Sequence, residues 1–303
     1  MASKNTTLKA RSRKLMIRET TTAYLFLLPF LAFFILFVVA PMISCVYTGF
    51  FRAVLGESTK TFIWFDNYTQ MFKDPEFLNA LKNTIIIVVV SVPVTCIFSL
   101  WVASVISKLP VAATSAFRCI FYLPVVTGSV AVTMVWKWIY DYYNGVLNFV
   151  GTQTGLLDGN INWLGDPKYA LGCIILILLT TSVGQPIVLY VSALDNVDKS
   201  LVEASEVDGA NGMQSFWKIK WPQMMPTTLY VLIITTINSF QCFALIQLLT
   251  SGGSNTKTIM YYIYYAAFKD DNLGYGYGSA MGVILAIIIA ILSAIQFRAG
   301  REK

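Results

Sequence analysis

Five charged side chains, Glu203, Glu206, Asp208, Lys218 and Lys220, crowd into residues 203–222 (EASEVDGANGMQSFWKIKWP) of a 303-residue sequence. On either side lie long stretches with no charge. The sequence contains no histidine. Its cysteines, Cys45, Cys96, Cys119, Cys173 and Cys242, show no metal-type clustering and read as small apolar packing residues. No catalytic residue and no metal-ligand set emerges, so the chemistry left to residues 203–222 is recognition. A second polar set lies inside the charge-free stretches. Thr181 and Gln185 stand one helical turn apart, as do Asn238 and Gln241. Their hydroxyls and amides suit a hydroxyl-rich solute, or hydrogen bonds between packed helices.

The elements that must position these residues are membrane spans. Of all residues 56% are hydrophobic and 13% charged, about half the charged share of a soluble domain, and the mean hydropathy is +0.64. Charge-free runs occupy 20–51, 83–107, 119–136, 169–194, 221–256 and 272–297. Crossing a hydrocarbon core takes about 20 helical residues, and a charge in mid-span costs roughly 2.5–3.5 kcal/mol. The expectation is therefore an all-α membrane protein with six transmembrane helices. Residues 142–157 are also uncharged, but their Gly, Asn, Gln and Thr read as an ordered loop. The first run is about twice the length of a signal-peptide core and lacks a cleavage pattern, so it reads as an anchor. Pro29, Pro41, Pro93, Pro124 and Pro186 predict kinks without breaks.

Orientation follows from Lys and Arg. With the N-terminus inside, 14 of the 22 lie on the cytoplasmic side, which places both termini in the cytosol. The net charge of +6 reflects that bias and does not call for nucleic acid. The expected organisation is a basic cytoplasmic tail at 1–20, a permeating domain at 21–298 with a cytoplasmic loop at 193–222, and a short tail at 299–303.

Within that loop, Ser200 and Glu203 fit a capping box that starts a helix at Leu201. Gly209 supplies the left-handed residue that ends it. Leu201, Ala204, Ser205 and Asp208 share one face, and the small Ala204 and Ser205 let another backbone approach. A second short helix presents Met213, Phe216 and Trp217 on one side, and Pro222 fits the first turn of the fifth span. Asp195, Asp198, Glu203, Glu206 and Asp208 outnumber Lys199, Lys218 and Lys220, so the segment carries −2. An amphipathic hairpin on lipid headgroups is one reading, but such helices are usually basic because the cytoplasmic leaflet is anionic. An acidic hairpin suits docking onto a protein better.

Glu203-Ala204-Ser205, Gly209, Ile219, Trp221 and Pro222 resemble, in order and spacing, the E-A-A, Gly, I-x-L-P loop of permease subunits in ATP-binding-cassette importers. Ser205 replaces the second alanine and Trp221 the leucine. AYLFLLPF (23–30), FDNYTQMFKDPEF (65–77), NTIIIVVVSVP (83–93), YNGVLN (143–148), NWLGDP (162–167), LTSGG (249–253) and LGYGYGSAMG (273–282) are similar to the sugar-type branch. They resemble its first-permease kind, that of the lactose, maltose and glycerol-phosphate systems. Ser254 departs where a proline often follows the two glycines, and Ala244 where aspartate is frequent.

This resemblance implies the type I importer permease fold in a bacterial cell membrane. It implies a second permease subunit in a heterodimer, two cytoplasmic ATPase subunits that alone bind ATP, and an extracellular or periplasmic solute-binding protein. The chain itself carries no cofactor and is not an enzyme. Docking to an ATPase falls to residues 200–217, with Glu203 and Gly209 central and Ala204, Ser205, Asp208, Met213, Phe216, Ile219 and Pro222 around them. Capping its own helix is a competing role for Glu203. Thr181, Gln185, Asn238 and Gln241 are the candidates for the sugar path.

Two other stretches invite chemistry and fail on residue type. SGGSNTKT (251–258) has Thr256 where a phosphate-binding loop needs glycine. GYGYG (274–278) lacks the preceding Thr-Val of a potassium filter, and packing glycines at a helix start explain it better. An ion-gradient transporter or a channel is the alternative reading, and the first would normally leave acids within the spans or broken helices near the midplane; no acid lies there.

Overall fold

The computed structural model describes residues 20–54, 60–270 and 272–301. Most of the expected terminal tails, 1–19 and 302–303, falls outside them. The described chain is almost entirely helical, because apolar segments in lipid must satisfy their backbone groups internally. The first helix, α1, runs Thr20–Thr48. A short antiparallel hairpin follows, β1 (Phe51–Arg52) paired with β2 (Thr61–Phe62). Next come α2 (Asp66–Met71), α3 (Pro75–Ile106), α4 (Val111–Val126), α5 (Ser129–Ile139), α6 (Val146–Gln153), α7 (Ala170–Ser182) and α8 (Gly184–Asp195). The hairpin helices are α9 (Lys199–Val207) and α10 (Gly212–Ser215), and α11 (Trp221–Phe240), α12 (Ala244–Leu249), α13 (Ile259–Phe268) and α14 (Gly274–Arg301) complete the order.

Among the described residues, four helices are long and apolar enough to cross a membrane: Thr20–Thr48, Pro75–Ile106, Gly212–Leu249 and Gly274–Gly300. The total reaches six if α4 with α5, and α7 with α8, each count as one bent span. The prolines act unequally. Pro93 lies inside the unbroken α3. Pro124 does not merely kink its helix: α4 ends two residues later, and α5 sets off at 93° after Thr127 and Gly128. Pro186 follows the 40° bend between α7 and α8. In α1 the π turn Ile35–Val39 ends just before Pro41, with Ala40 N donating to Ile35 O. An i→i−5 bond thus stands where proline disturbs the regular ladder.

Two further expectations need correction, and one element was not expected. Residues 142–157 are not a loop throughout, since α6 occupies Val146–Gln153. The buried Asn148 side chain accepts from Ile161 N and Trp163 Nε1 and so ties α6 to the following turn. Pro222 lies in the first turn of α11 as expected, but the helical run does not start there: a second π turn, Phe216–Lys220, joins α10 to α11, so the run extends back to Gly212. In addition, α13, with Ile259, Tyr261, Tyr262, Ala266 and Ala267 buried, is an element that no charge-free run marked.

Three apolar clusters hold the helices together. Phe77, Ala80, Phe240, Ile259, Tyr262, Tyr277 and Met281 join α3, α11, α13 and α14. Val102, Ile106, Ile187, Tyr190, Val191, Met224 and Val231 join α3, α8 and α11. Tyr140, Cys173, Ile174, Ile177, Leu245 and Ile246 join α7 and α12 to the end of α5. The GYGYG stretch is packing: Gly276 N donates to Ala53 O at 3.1 Å, and a Cβ on Gly276 would come within 2.0 Å of Phe51 O. Only glycine lets the start of α14 lie so close to β1. The 250–258 turn also serves structure, with Asn83 Nδ2 donating to Asn255 O and Lys257 O.

Candidate functional site

The hairpin at 198–220 is built from local capping chemistry. Its first helix starts at Lys199, because Asp198 accepts from Ser200 N at 2.9 Å and from the Ser200 hydroxyl at 2.7 Å. Those bonds, the hydroxyl's first, hold the Asp198 carboxyl below the ordinary aspartate range. The expected Ser200–Glu203 box is therefore displaced, since a charged acceptor two residues earlier takes the cap and Ser200 becomes its donor. Glu203 is left exposed, without the capping duty that competed for it. A complete capping box forms instead at α10, where Asn211 and Gln214 exchange side-chain and backbone bonds.

Gly209 ends α9 as expected, at φ 79°. Ala210 N reaches Ser205 O and Gly209 N reaches Glu206 O, the bond pair of a Schellman cap. Ser205 is buried and donates to Val202 O at 2.7 Å and to Ser215 Oγ at 3.3 Å. The backbone that its small size admits is the chain's own next helix. Ala204 stays exposed. Trp217 Nε1 donates to Met213 Sδ at 3.2 Å, and both side chains are more than half exposed. Phe216 and Ile219 are half-buried and Pro222 is exposed.

The hairpin therefore shows solvent an acidic and apolar surface: Glu203, Glu206 and Asp208 beside Leu201, Val207 (88% exposed), Met213 and Trp217. Two pins fix its root. Asp198 N donates to Gln223 Oε1 of α11 at 3.1 Å, and Arg118 of α4 pairs with Asp195 at the end of α8 at 2.8 Å.

The intramembrane candidates separate into two groups. Thr181, Gln185 and Asn238 line one cavity of about 150 Å³, together with Val125, Ser182, Pro186, Leu189, Ile234 and Thr235. It lies at the bend between α7 and α8, facing α11. Thr181 Oγ1 donates to Ile177 O and Leu178 O within its own helix, which leaves its lone pairs free to accept. Gln241 does not join them. It caps the end of α11 and is exposed. Thr235, one turn before Asn238, and Ser182 were missed by sequence, although the i, i+3 spacing of Thr235 and Asn238 marks a shared face.

Comparison with known proteins gives one answer over residues 20–301. The family described as "Binding-protein-dependent transport system inner membrane component" matches residues 20–301. The chain is similar to the probable ABC transporter permease protein YurN of Bacillus subtilis (strain 168), at 32% identity over 286 residues covering 92% of this chain and 97% of that protein. It is also similar to the lactose transport system permease protein LacF of Rhizobium radiobacter, at 29% identity over 288 residues covering 92% and 94%. The fold is shared with a chain in the crystal structure of a bacterial ABC transporter involved in the import of the acidic polysaccharide alginate. There the TM-score is 0.81 at 23% identity, with 94% of this chain and 97% of that chain covered.

Proposed function

Because this chain belongs to the family of binding-protein-dependent transport system inner membrane components, we propose that it moves a carbohydrate through the Thr181–Gln185–Asn238 cavity and takes its drive from ATPase subunits seated on the 200–217 hairpin. It is a membrane-spanning permease subunit of an ABC importer. Lactose is named for one relative and sn-glycerol 3-phosphate for another. Uncharged hydroxyls and amides in the cavity favour a neutral, hydroxyl-rich solute, since an ionic one would need a buried counter-charge.

The observation that carries the coupling assignment is the hairpin's build. It is capped at both helix starts, joined internally by Ser205 and Ser215, and rooted where α8 and α11 meet. A push on such a body is passed to the two helices that line the cavity. Both termini are cytoplasmic in this reading, with 21–298 as the permease domain in a bacterial cell membrane. A second permease subunit completes the path, two ATPase subunits bind the ATP, and a solute-binding protein delivers the sugar. The chain itself binds neither ATP nor nucleic acid and catalyses no reaction.

Gly209→Val tests the coupling role. Open space surrounds a Cβ at this position, so the substitution acts through backbone strain. A left-handed β-branched residue costs about 1–2 kcal/mol, enough to deplete the docking conformation about tenfold. In the assembled importer, uptake should fall on that order while ATP hydrolysis continues. Met213→Cys should crosslink to the ATPase subunit. Unchanged uptake, or no crosslink from Met213, would remove the hairpin from the coupling path.

A further inference from the structure

Between the end of α1 and the start of α2, the chain builds an aromatic corner that transport and coupling leave unused. Tyr47 leans on Phe51 with ring centres 4.7 Å apart, Phe51 on Phe62 at 5.1 Å, and Phe62 on Trp64 at 4.9 Å. Phe50 meets Phe65 edge-on at 5.2 Å beside them. The rings form a continuous row from the last turn of a membrane-crossing helix out onto the hairpin. Yet Tyr47 is 63% exposed, Trp64 66% and Phe65 58%. A row of rings packed tilted and edge-on, with its outer edge uncovered, needs something apolar against it.

The backbone shows that the outward aim is built in. Trp64 sits at φ 52°, a left-handed conformation unfavourable for a bulky side chain. Such strain persists only where the surroundings over-determine it. Here Ile63 N donates to Phe50 O at 2.9 Å and Asp66 N to Ile63 O at 3.1 Å. The buried Asn67 amide ties Gly49 O and Phe51 O together at 2.8 and 3.0 Å. This scaffold spends a strained residue and yet turns the indole away from the protein's interior.

The position of the row identifies what it meets. No residue in the most apolar stretch of α1 is buried against the rest of the chain, and the row continues from the last turn of that helix. It therefore lies where α1 leaves the hydrocarbon, the layer in which Trp and Tyr concentrate because their rings are apolar and their N–H and O–H groups polar. Arg52, exposed on β1 next to Phe51, adds a guanidinium that can pair with lipid phosphate.

We infer that Tyr47, Phe62, Trp64 and Phe65 form a lipid-seated foot, embedded in the phospholipid headgroup layer and fixing the depth at which α1 and α2 sit. The inference rests only on the membrane setting of the family and is independent of the coupling assignment.

The test places a photoreactive p-benzoylphenylalanine at position 64 of the full chain, assembled with its partner subunits in phosphatidylethanolamine–phosphatidylglycerol vesicles. Illumination should give adducts with the mass of a phospholipid. Adducts only to a polypeptide, whether a second permease or a binding protein, would overturn the inference, as would no lipid adduct at all. A second measurement leaves the native ring in place. The emission lost in Trp64→Leu should be quenched about twofold more by lipids brominated near the headgroup than by lipids brominated near the chain ends. Equal or reversed quenching would also overturn it.

Discussion

Two polar regions outside the cavity, the start of α3 and the 198–220 hairpin, are held together in opposite ways. At the start of α3, the Asp74 carboxylate caps the helix through Glu76 N and also accepts the hydroxyls of Tyr262 and Tyr277 at 2.5 and 2.8 Å. Lys257 pairs with Glu76 at 2.6 Å, and Asn83 reaches the 250–258 turn. Every one of these bonds but the cap joins residues more than 170 positions apart in sequence. In the 198–220 hairpin nearly every bond is local, made between residues 2 to 10 positions apart. A corner tied across the fold cannot move without breaking many contacts together. A hairpin that closes on itself and is pinned at its root can move as one piece.

That contrast can be broken most forcefully at Asp74. Asp74→Ala strips a helix cap and leaves two buried tyrosine hydroxyls without an acceptor, at a cost of roughly 3–5 kcal/mol. The thermal midpoint of the purified importer should fall by more than for any other substitution considered, whereas Asp74→Asn, which keeps an acceptor, should recover much of the loss. A midpoint unmoved by Asp74→Ala would mean that the corner is not the anchor described.

Gly209→Val comes next and sharpens the distinction. Its strain of about 1–2 kcal/mol stays within the hairpin, so the thermal midpoint should barely move while uptake drops. Loss of both together would show that the hairpin is part of the stability core.

Arg118→Ala removes an ion pair whose side chains are 30% and 59% exposed, worth about 1 kcal/mol at most. Stability should change little, and amide exchange at the end of α8 should quicken, because the root of the hairpin loses one of its pins. Slower or unchanged exchange would rule out a pinning role.

The smallest effect belongs to Asp198. Its carboxyl titrates below the ordinary aspartate range, so the cap it provides is fully present above that range and is lost as pH falls through the depressed value. Protection of the first turn of α9 should therefore persist through mildly acidic pH and disappear only in strong acid. Asp198→Asn, which caps about as well, should abolish that dependence.

Much of this was legible in sequence because the bilayer forbids most alternatives. Charge-free runs located the long helices, and Gly209 announced its turn. The failures share a cause, which is that several signals compete within a few residues. Ser200 and Glu203 satisfied a capping pattern, but Asp198 stood close enough to take the amides first. Thr127 and Gly128 sit inside a charge-free run, so hydropathy could not see a 93° corner there. α13 is only 10 residues long and bracketed by Lys257 and Lys269, so it resembles a link between spans. In the cavity, Thr181, Gln185 and Asn238 were visible as polar residues in apolar runs. Gln241 passed the same test, because sequence did not show that the helix ends at Phe240.

The π turn at Phe216–Lys220 is a spare link in the chain. Over nearly the same axial length it winds about one residue more than a regular turn. Excising a single residue there would close the turn into ordinary helix and leave both flanks in phase with their neighbours. The same excision halfway along α3 would swivel half of that helix by about 100° and carry Ser91 away from Ser239, whose hydroxyl now lies 2.9 Å from its own.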